Sequence, residues 1–323
     1  MRAVYAESLS AQSPLDGLRV GELPEPKHPG EFRRVRVRAS ALNHHDLWSL
    51  RGVGLGQDKL PMILGCDGAG VDDDGNEVLI HSVISSPDWQ GDETLDPRRS
   101  LLSELHPGTM ADYVWVPARN LVPKPSGLSF EEAACLPTSW LTAYRMLFTT
   151  SPAAPGSTVL VQGAGGGVST ALILLAGAAG YRVWVTSRSE AKRELALKLG
   201  AQDAFDAGAR LPERVDVVFD SVGEATWAHS LKALKPGGAV VTCGATSGPS
   251  PSADLNRVFF LQLRVLGSTM GSRDELQRLA EFLAVTGVRP IIDSVYPLED
   301  ARTGFERMAK GEVFGKVIFN HGN

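Results

Sequence analysis

A glycine-rich run at residues 163–168, Gly-Ala-Gly-Gly-Gly-Val, carries the most specific chemistry in this sequence. It follows an apolar segment, Val159 to Val161, that predicts a buried strand, and it precedes an apolar helix predicted over Ser169 to Ala179. Glycines at such a turn let the backbone approach a pyrophosphate, whose charge is attracted by the free N–H groups at the helix start. This context predicts dinucleotide binding rather than an ordinary tight turn. The residues expected to contact the cofactor here are Gly165, Gly166, Gly167 and Val168.

The residues after the next predicted strand, Val183 to Thr186, indicate which dinucleotide is bound. NAD-binding sites usually have an acidic residue about 20 positions after the glycines, bonded to the ribose 2′-hydroxyl. This sequence instead has Ser187, Arg188 and, further on, Lys192. A hydroxyl, a guanidinium and an ammonium group suit a 2′-phosphate, because the two cations can pair with its charge. We therefore predict NADPH as the cofactor. The alternative is that Arg188 and Lys192 only lie on the solvated face of a helix.

The elements around this turn predict an α/β protein of two domains. Short strands broken by Pro and Gly occupy the first 120 or so residues, whereas strands and helices alternate after Pro125, which predicts a parallel sheet with helices on both faces. A polar, irregular stretch from Pro87 to Pro107 predicts a surface loop. The predicted domains are residues 1–125 and 268–323, forming a β-rich catalytic domain, and residues 126–267, forming the cofactor domain.

Composition excludes several classes of function. The chain has 323 residues and a net charge of −5 without a basic stripe, so we expect no nucleic-acid partner. Its N-terminus has no apolar signal core and no apolar stretch is long enough for a bilayer, so we expect a cytoplasmic enzyme without membrane contact. The three cysteines form no CxxC pair, which argues against a four-thiolate zinc site and against a disulfide framework.

Five segments of the chain carry a family resemblance. They are, in order, Ala41–Leu47, Leu64–Gly70, the glycine-rich run, Asp220–Gly223 and Phe314–Lys316. Together they resemble the medium-chain dehydrogenase/reductase superfamily, and within it the zinc-free, zeta-crystallin-like quinone oxidoreductases, over nearly the whole chain. The resemblance implies a GroES-like catalytic domain built from both chain ends, a Rossmann cofactor domain, an active site in the cleft, and a homodimer formed through an edge strand of the Rossmann sheet.

The departures from the zinc-dependent members indicate the chemistry. Asn43, Cys66 and Thr138 stand where those relatives have Cys, His and Cys ligands, and the stretch from Pro87 to Pro107 lacks the four cysteines of their structural zinc. Asn and Thr are poor zinc ligands, so we expect no metal at either place. Without a Lewis acid, a conjugated acceptor is favoured because it spreads the developing charge into an enolate or quinol. We predict a reductase that transfers hydride from NADPH to a quinone or an α,β-unsaturated carbonyl compound.

The resemblance also implies roles for single residues, each with a structural alternative. Asn43 would lie near the nicotinamide, or its amide would bond a local turn. His45 would donate a proton to the enolate or quinol, or would be structural, and Asp46 would be an acid or, more simply, an acceptor that holds the loop. Trp48 would line the pocket for a flat substrate ring. The remaining cofactor contacts implied by the resemblance are His44, Thr142, Cys243 and Lys316.

Three other functions compete with quinone or enone reduction. Reduction of an enoyl thioester would use the same hydride step and would need basic residues at a groove mouth, for which Arg98 and Arg99 are candidates. A non-catalytic NADPH sensor or scaffold is consistent with the missing metal. An alcohol dehydrogenase with an unusual metal site would contain stoichiometric zinc.

Overall fold

The computed structural model describes residues 1–28 and 30–322, which form two compact units. The first unit consists of Met1–Leu141 and Gly271–Asn323, and the second consists of Thr142–Met270. The division thus lies later than the predicted boundary at residue 126. No helix in the described part of the chain is long and apolar enough to cross a bilayer.

The described residues include eighteen strands and nine α-helices. The strands are β1 (Arg2–Ala6), β2 (Leu18–Glu22), β3 (Phe32–Ala41), β4 (Met62–Ile63), β5 (Asp67–Asp72), β6 (Glu77–Ile80), β7 (Val83–Ile84), β8 (Ser100–Leu101), β9 (Tyr113–Pro117), β10 (Leu121–Pro123), β11 (Thr158–Val161), β12 (Arg182–Thr186), β13 (Asp203–Phe205), β14 (Val215–Asp220), β15 (Leu234–Thr242), β16 (Arg264–Gly267), β17 (Ile292–Pro297) and β18 (Lys316–Asn320). The helices are α1 (His44–Leu50), α2 (Phe130–Ala134), α3 (Leu141–Tyr144), α4 (Gly167–Ala178), α5 (Glu190–Lys198), α6 (Glu224–Ala233), α7 (Leu255–Phe260), α8 (Arg273–Thr286) and α9 (Ala301–Ala309).

The first unit is built on a mainly antiparallel sheet in the order β10-β6-β5-β3-β18-β17, with β9 also paired to β3. Strand β3 forms because its apolar residues alternate with polar ones, so that one face is buried. Its register places Ala41 opposite Asp67 of β5 on one side and opposite Ile318 of β18 on the other. The residues just beyond Ala41 therefore lie beside Asp67 and beside Lys316, although these come from distant parts of the chain.

The second unit is a six-stranded, all-parallel sheet in the order β13-β12-β11-β14-β15-β16. Strand β11 is buried along its whole length, as expected for a central strand covered on both faces. The order reverses between β11 and β14, which is the switch point where dinucleotides bind in doubly wound sheets. The predicted Rossmann architecture is confirmed.

One local prediction needs correction, and one helix was not predicted. The segment from Pro87 to Pro107 is not a simple surface loop, because it contains β8 and buries Asp96 and Leu102. Asp96 is held there by the backbone N–H and the hydroxyl of Ser86, which donate to its Oδ2 at 2.6 and 2.7 Å. Residues 44–50, which have no predicted element, form α1, because Leu47 and Leu50 pack into the core of the first unit.

Candidate active site

The start of α1 is fixed by Asp46, which is fully buried. Its Oδ2 accepts the backbone N–H of Asn43 at 2.8 Å, and its Oδ1 accepts the N–H of Gly65 at 3.0 Å. Burial raises the pKa of this carboxyl to about 6. Both oxygens thus accept backbone donors, as the structural alternative for Asp46 requires, and a role as an acid stays a prediction.

A buried ion pair lies next to Asn43. The Lys316 side chain is 2% exposed and that of Asp67 is 0% exposed, and Lys316 Nζ lies 2.8 Å from Asp67 Oδ2. Lys316 also donates to Asn43 Oδ1 at 2.7 Å and to the carbonyl of Leu42 at 2.9 Å, while Asn43 Nδ2 donates to Asp67 Oδ2 at 2.8 Å. All three ammonium protons of Lys316 have partners within the first unit. The geometry therefore gives Lys316 a place in the hydrogen-bonding of the first unit, and its contact with the cofactor stays a prediction.

The residues at the three zinc-ligand positions of the metal-dependent relatives do not fit a zinc ion. The Asn43 amide is held by Asp67 and Lys316, and Thr138 offers only a hydroxyl. Cys66 Sγ contacts His45 Nδ1 at 3.3 Å and donates to the carbonyl of Leu102 at 3.1 Å. Within residues 1–28 and 30–322, no three His, Cys, Asp or Glu side chains are grouped so that they can hold a metal. Asn43 and Cys66 therefore form hydrogen bonds with neighbouring residues and, with Thr138, do not provide a ligand set for zinc.

His45 lies between two other titratable groups. Its Nε2 is 3.0 Å from Glu104 Oε1, and its Nδ1 faces the Cys66 thiol. Burial lowers the pKa of His45, but Cys66 and Glu104 outweigh it, so that the pKa stands well above its ordinary value. Burial also raises the pKa of the Cys66 thiol. The imidazole, the thiol and the carboxylate thus form one coupled group in which the titration of His45 depends on both neighbours.

The other two predicted residues of α1 differ in exposure. His44 is exposed, whereas Trp48 is half-buried one helical turn further on. Successive helical residues point about 100° apart, so His44 and His45 face different directions. The ring of Trp48 keeps an accessible surface that suits a flat ligand.

In the second unit, the glycine-rich turn connects β11 to α4. Gly163 and Gly165 adopt positive φ values of 76° and 115°, which favour glycine. A Cβ on Gly163 would lie 2.8 Å from Cγ2 of Val222, so the turn is closely packed against the segment after β14. Gly166 precedes α4 and is exposed, and Val168 is half-buried in its first turn. The turn thus presents glycine backbone and a helix N-terminus beside the switch point, an arrangement that fits a pyrophosphate.

The residues that follow β12 form a basic surface next to this turn. Ser187 is buried, Lys192 is half-buried, and Arg188 is exposed, with no ion pair to any described residue. Arg193 was not predicted; its Nη1 donates to the carbonyl of Ser187 at 2.7 Å and to Asp206 Oδ1 at 2.5 Å. Arg193 therefore fixes the backbone at Ser187 and neutralises the carboxylate nearest to it.

The last two predicted cofactor contacts belong to the second unit. Thr142 is buried in α3, and Cys243 is half-buried just after β15, where its N–H donates to the carbonyl of Asp220. Burial raises the pKa of the Cys243 thiol to about 12, so this thiol is neutral. Neither geometry includes a feature that assigns a contact, and both remain predictions.

Sequence reasoning missed Glu104 and Arg193. Glu104 lies in the segment from Pro87 to Pro107, and its partner His45 is 59 positions away, so no local pattern connects the two. Arg193 is one residue after Lys192, and the basic cluster there was a signal that could have identified it.

Comparison with known families agrees with both units. The family model described as "Alcohol dehydrogenase GroES-like domain" matches residues 29–126, and the model described as "Zinc-binding dehydrogenase" matches residues 167–285. The GroES-like assignment of the first unit is thereby confirmed.

Two kinds of protein among those similar to this chain bear on its chemistry. An alcohol dehydrogenase of Geobacillus stearothermophilus is 31% identical over 93% of this chain and 95% of its own length. A crotonyl-CoA carboxylase/reductase of Cereibacter sphaeroides is 28% identical over 86% of this chain and 77% of its own. Among solved structures, an NAD-dependent alcohol dehydrogenase superposes with a TM-score of 0.91 at 36% identity, over 100% of both chains. By their names, these three proteins are two alcohol dehydrogenases and a carboxylase/reductase, and all three are oxidoreductases.

Proposed function

This chain belongs to the medium-chain dehydrogenase/reductase superfamily, and from that premise we propose that it reduces quinones or α,β-unsaturated carbonyl compounds with NADPH and without zinc. The observation that carries the proposal is the set of side chains at the zinc-ligand positions. The amide of Asn43 is bonded to Lys316, the thiol of Cys66 contacts His45, and Thr138 has only a hydroxyl. None of these groups is a Lewis acid that could stabilise the alkoxide formed from an unconjugated carbonyl. A conjugated acceptor needs less stabilisation, because its charge is delocalised.

Each step of the reduction has a candidate residue in the chain. Bound NADPH supplies the hydride. Asn43, whose amide is fixed by Lys316 and Asp67, is the rigid polar residue that we place near the nicotinamide, and Trp48 offers an aromatic face to the acceptor. His45 then provides the proton that converts the enolate or quinolate into product. Asp46 holds the loop and helix that carry these residues.

Support for NADPH over NADH comes from the end of β12. The side chain at the position of the usual acidic residue is the hydroxyl of Ser187, and the nearby Asp206 is neutralised by Arg193. Arg188 and Lys192 are the groups we assign to the 2′-phosphate, with Arg188 exposed and without an ion pair among the described residues.

Enoyl-thioester reduction is the second candidate, and one comparison favours it. The crotonyl-CoA reductase relative carries out, by its name, the reduction of a conjugated thioester, which is the same hydride step. Arg98 and Arg99 are both exposed, as a contact with CoA phosphates requires, although Arg98 also pairs with Asp88 at 2.7 Å.

We further propose that the protein is a homodimer formed through β16. This strand ends the parallel sheet, and Val265 on it is 48% exposed, while Phe259 and Phe260 just before it are 67% and 80% exposed. A second copy would cover these side chains and extend the sheet. Light scattering of the purified protein is expected to give twice the chain mass, and Val265→Lys is expected to give the single mass.

A substrate panel tests the proposed reaction. Purified protein is assayed for NADPH oxidation with quinones, enones, crotonyl-CoA and aldehydes, with NADH and a chelator as controls and with zinc measured in the same sample. We expect turnover of quinones or enones with NADPH that is unaffected by chelator. Turnover of crotonyl-CoA alone would support the second candidate, and zinc-dependent oxidation of alcohols would contradict both. Tight NADPH binding without turnover of any acceptor would indicate a sensor or scaffold.

A further inference from the structure

Two titratable side chains, Glu104 and Cys66, come from separate segments of the first unit and contact His45. The carboxylate of Glu104 contacts Nε2 at 3.0 Å, and the thiol of Cys66 contacts Nδ1 at 3.3 Å. The side chains of His45 and Glu104 are 16% and 22% exposed, whereas Cys66 is buried. The chain of contacts therefore runs from solvent at Glu104 to a buried sulfur.

The backbone around Glu104 is shaped to bring it to His45. Ser103 has a φ of 66°, an unusual value for a residue with a side chain, at the turn that directs Glu104. On the other side, a Cβ on Gly54 would lie 2.5 Å from Glu104 Oε1, so only glycine at position 54 leaves room for the carboxylate. The positive φ of Ser103 and the missing side chain of Gly54 thus both permit the contact between Glu104 and His45.

The contacts of the imidazole allow a proton on each of its nitrogens. An ionised Glu104 accepts a hydrogen bond from Nε2. Because the Cys66 thiol can donate its own hydrogen to the carbonyl of Leu102, its sulfur can accept from Nδ1. An imidazole with hydrogen on both nitrogens is a cation. The charged and titratable groups that face it are Glu104, Cys66 and, from α1 itself, Asp46. Burial lowers the pKa of His45, and these three groups raise it.

We propose that Glu104 is a positioning residue that, together with Cys66, holds His45 as an oriented imidazolium, which is the proton store of the reduction. The use of this proton rests on the proposed function, whereas the imidazolium itself does not. No sequence feature or comparison assigns a role to Glu104.

The proton step balances without a further reactant. After hydride transfer, the enolate or quinolate takes one proton from His45, which leaves a neutral imidazole. The neutral ring takes a proton back from water, which reaches it beside the partly exposed Glu104. The thiol is neither oxidised nor alkylated, and its role is to fix the orientation of Nδ1.

The direct test is the titration of His45 by NMR in the apo protein. The His45 signal is assigned by its absence in His45→Asn. We expect the wild-type ring to stay protonated above neutral pH and Glu104→Gln to lower its midpoint by about one pH unit or more. Glu213→Gln removes an exposed carboxylate in the second unit and is expected to leave the midpoint unchanged.

A pair of glycine variants tests the geometry without changing any titratable group. Gly54→Ala forces the Glu104 carboxylate away, whereas Gly52→Ala has the same kind of positive φ but its Cβ meets only Leu9, at 3.6 Å. We expect Gly54→Ala to lower the His45 midpoint as Glu104→Gln does, and Gly52→Ala to leave it unchanged. Equal midpoints in the two glycine variants would overturn the proposal.

Kinetics separates this proposal from the proposed function. With an active acceptor, the falling limb of kcat/KM against pH is expected to move to lower pH in Glu104→Gln, with activity rescued in acid, and to return in Glu104→Asp. If the protein turns over no acceptor while His45 still titrates as described, the proposed reduction is refuted. The proposal that His45 is an imidazolium is then retained. A wild-type His45 midpoint at or below the ordinary histidine value would refute the imidazolium itself, whether or not the protein is active.

Discussion

Lys316→Met is the substitution from which we expect the largest loss of stability among the site residues. The Nζ of Lys316 donates to the carbonyl of Leu42, to Asn43 Oδ1 and to Asp67 Oδ2, all within 2.9 Å. Removing one partner of a buried ion pair leaves the other charge without compensation, which costs about 3–5 kcal/mol. Methionine keeps most of the side-chain volume, so a cavity contributes little to this loss.

Urea unfolding followed by circular dichroism measures the effect, and two further variants identify its cause. The double variant Lys316→Met with Asp67→Asn removes both charges and is expected to recover most of the lost free energy. Lys235→Met breaks a half-exposed pair with Asp216, also at 2.8 Å, and is expected to cost about 1 kcal/mol or less. A loss below about 1 kcal/mol for Lys316→Met, or no recovery in the double variant, would refute the view that this ion pair organises the site.

Three further predictions concern the cofactor turn, the cofactor preference and the pH dependence of stability. Gly165→Ala forces a side chain to a φ of 115° and is expected to weaken NADPH binding at least about tenfold by calorimetry; Gly208→Ala, with a φ of 79° in open space, should bind NADPH normally. Arg188→Gln should lower the affinity for NADPH by about tenfold or more and leave that for NADH unchanged; an equal loss for both would remove Arg188 from the 2′-phosphate site. Burial lowers the pKa of His321 to about 4 from 6.5, so the unfolded chain binds more protons than the folded one between these values. The free energy of unfolding should therefore fall by about 3 kcal/mol as pH drops through this window, and His321→Gln should flatten that slope; an unchanged slope would exclude His321 as its source.

Local sequence patterns were sufficient for the cofactor unit. Its central strands are continuous apolar runs, and the strand–glycine–helix order identifies the phosphate turn without knowledge of tertiary contacts.

The site in the first unit could not be predicted to the same extent, because its side-chain contacts join residues that are far apart in the sequence. Lys316 and Asp67 are 249 positions apart and meet only through the register of β3 with β5 and β18. The partner of His45 comes from an irregular segment in which no periodicity marks Glu104. The sequence therefore indicated Asn43 and Lys316 as candidate site residues, while their contact with each other and with Asp67 required the three-dimensional arrangement.

The measurement that tests the central claim most directly is the destination of the hydride. NADPH carrying deuterium at C4 is incubated with chelator-treated protein and a cyclic enone, and the product is analysed by mass spectrometry and NMR. We predict a saturated ketone with one deuterium at the carbon β to the carbonyl. Deuterium at the carbonyl carbon of an allylic alcohol, formed only when zinc is restored, would contradict the account.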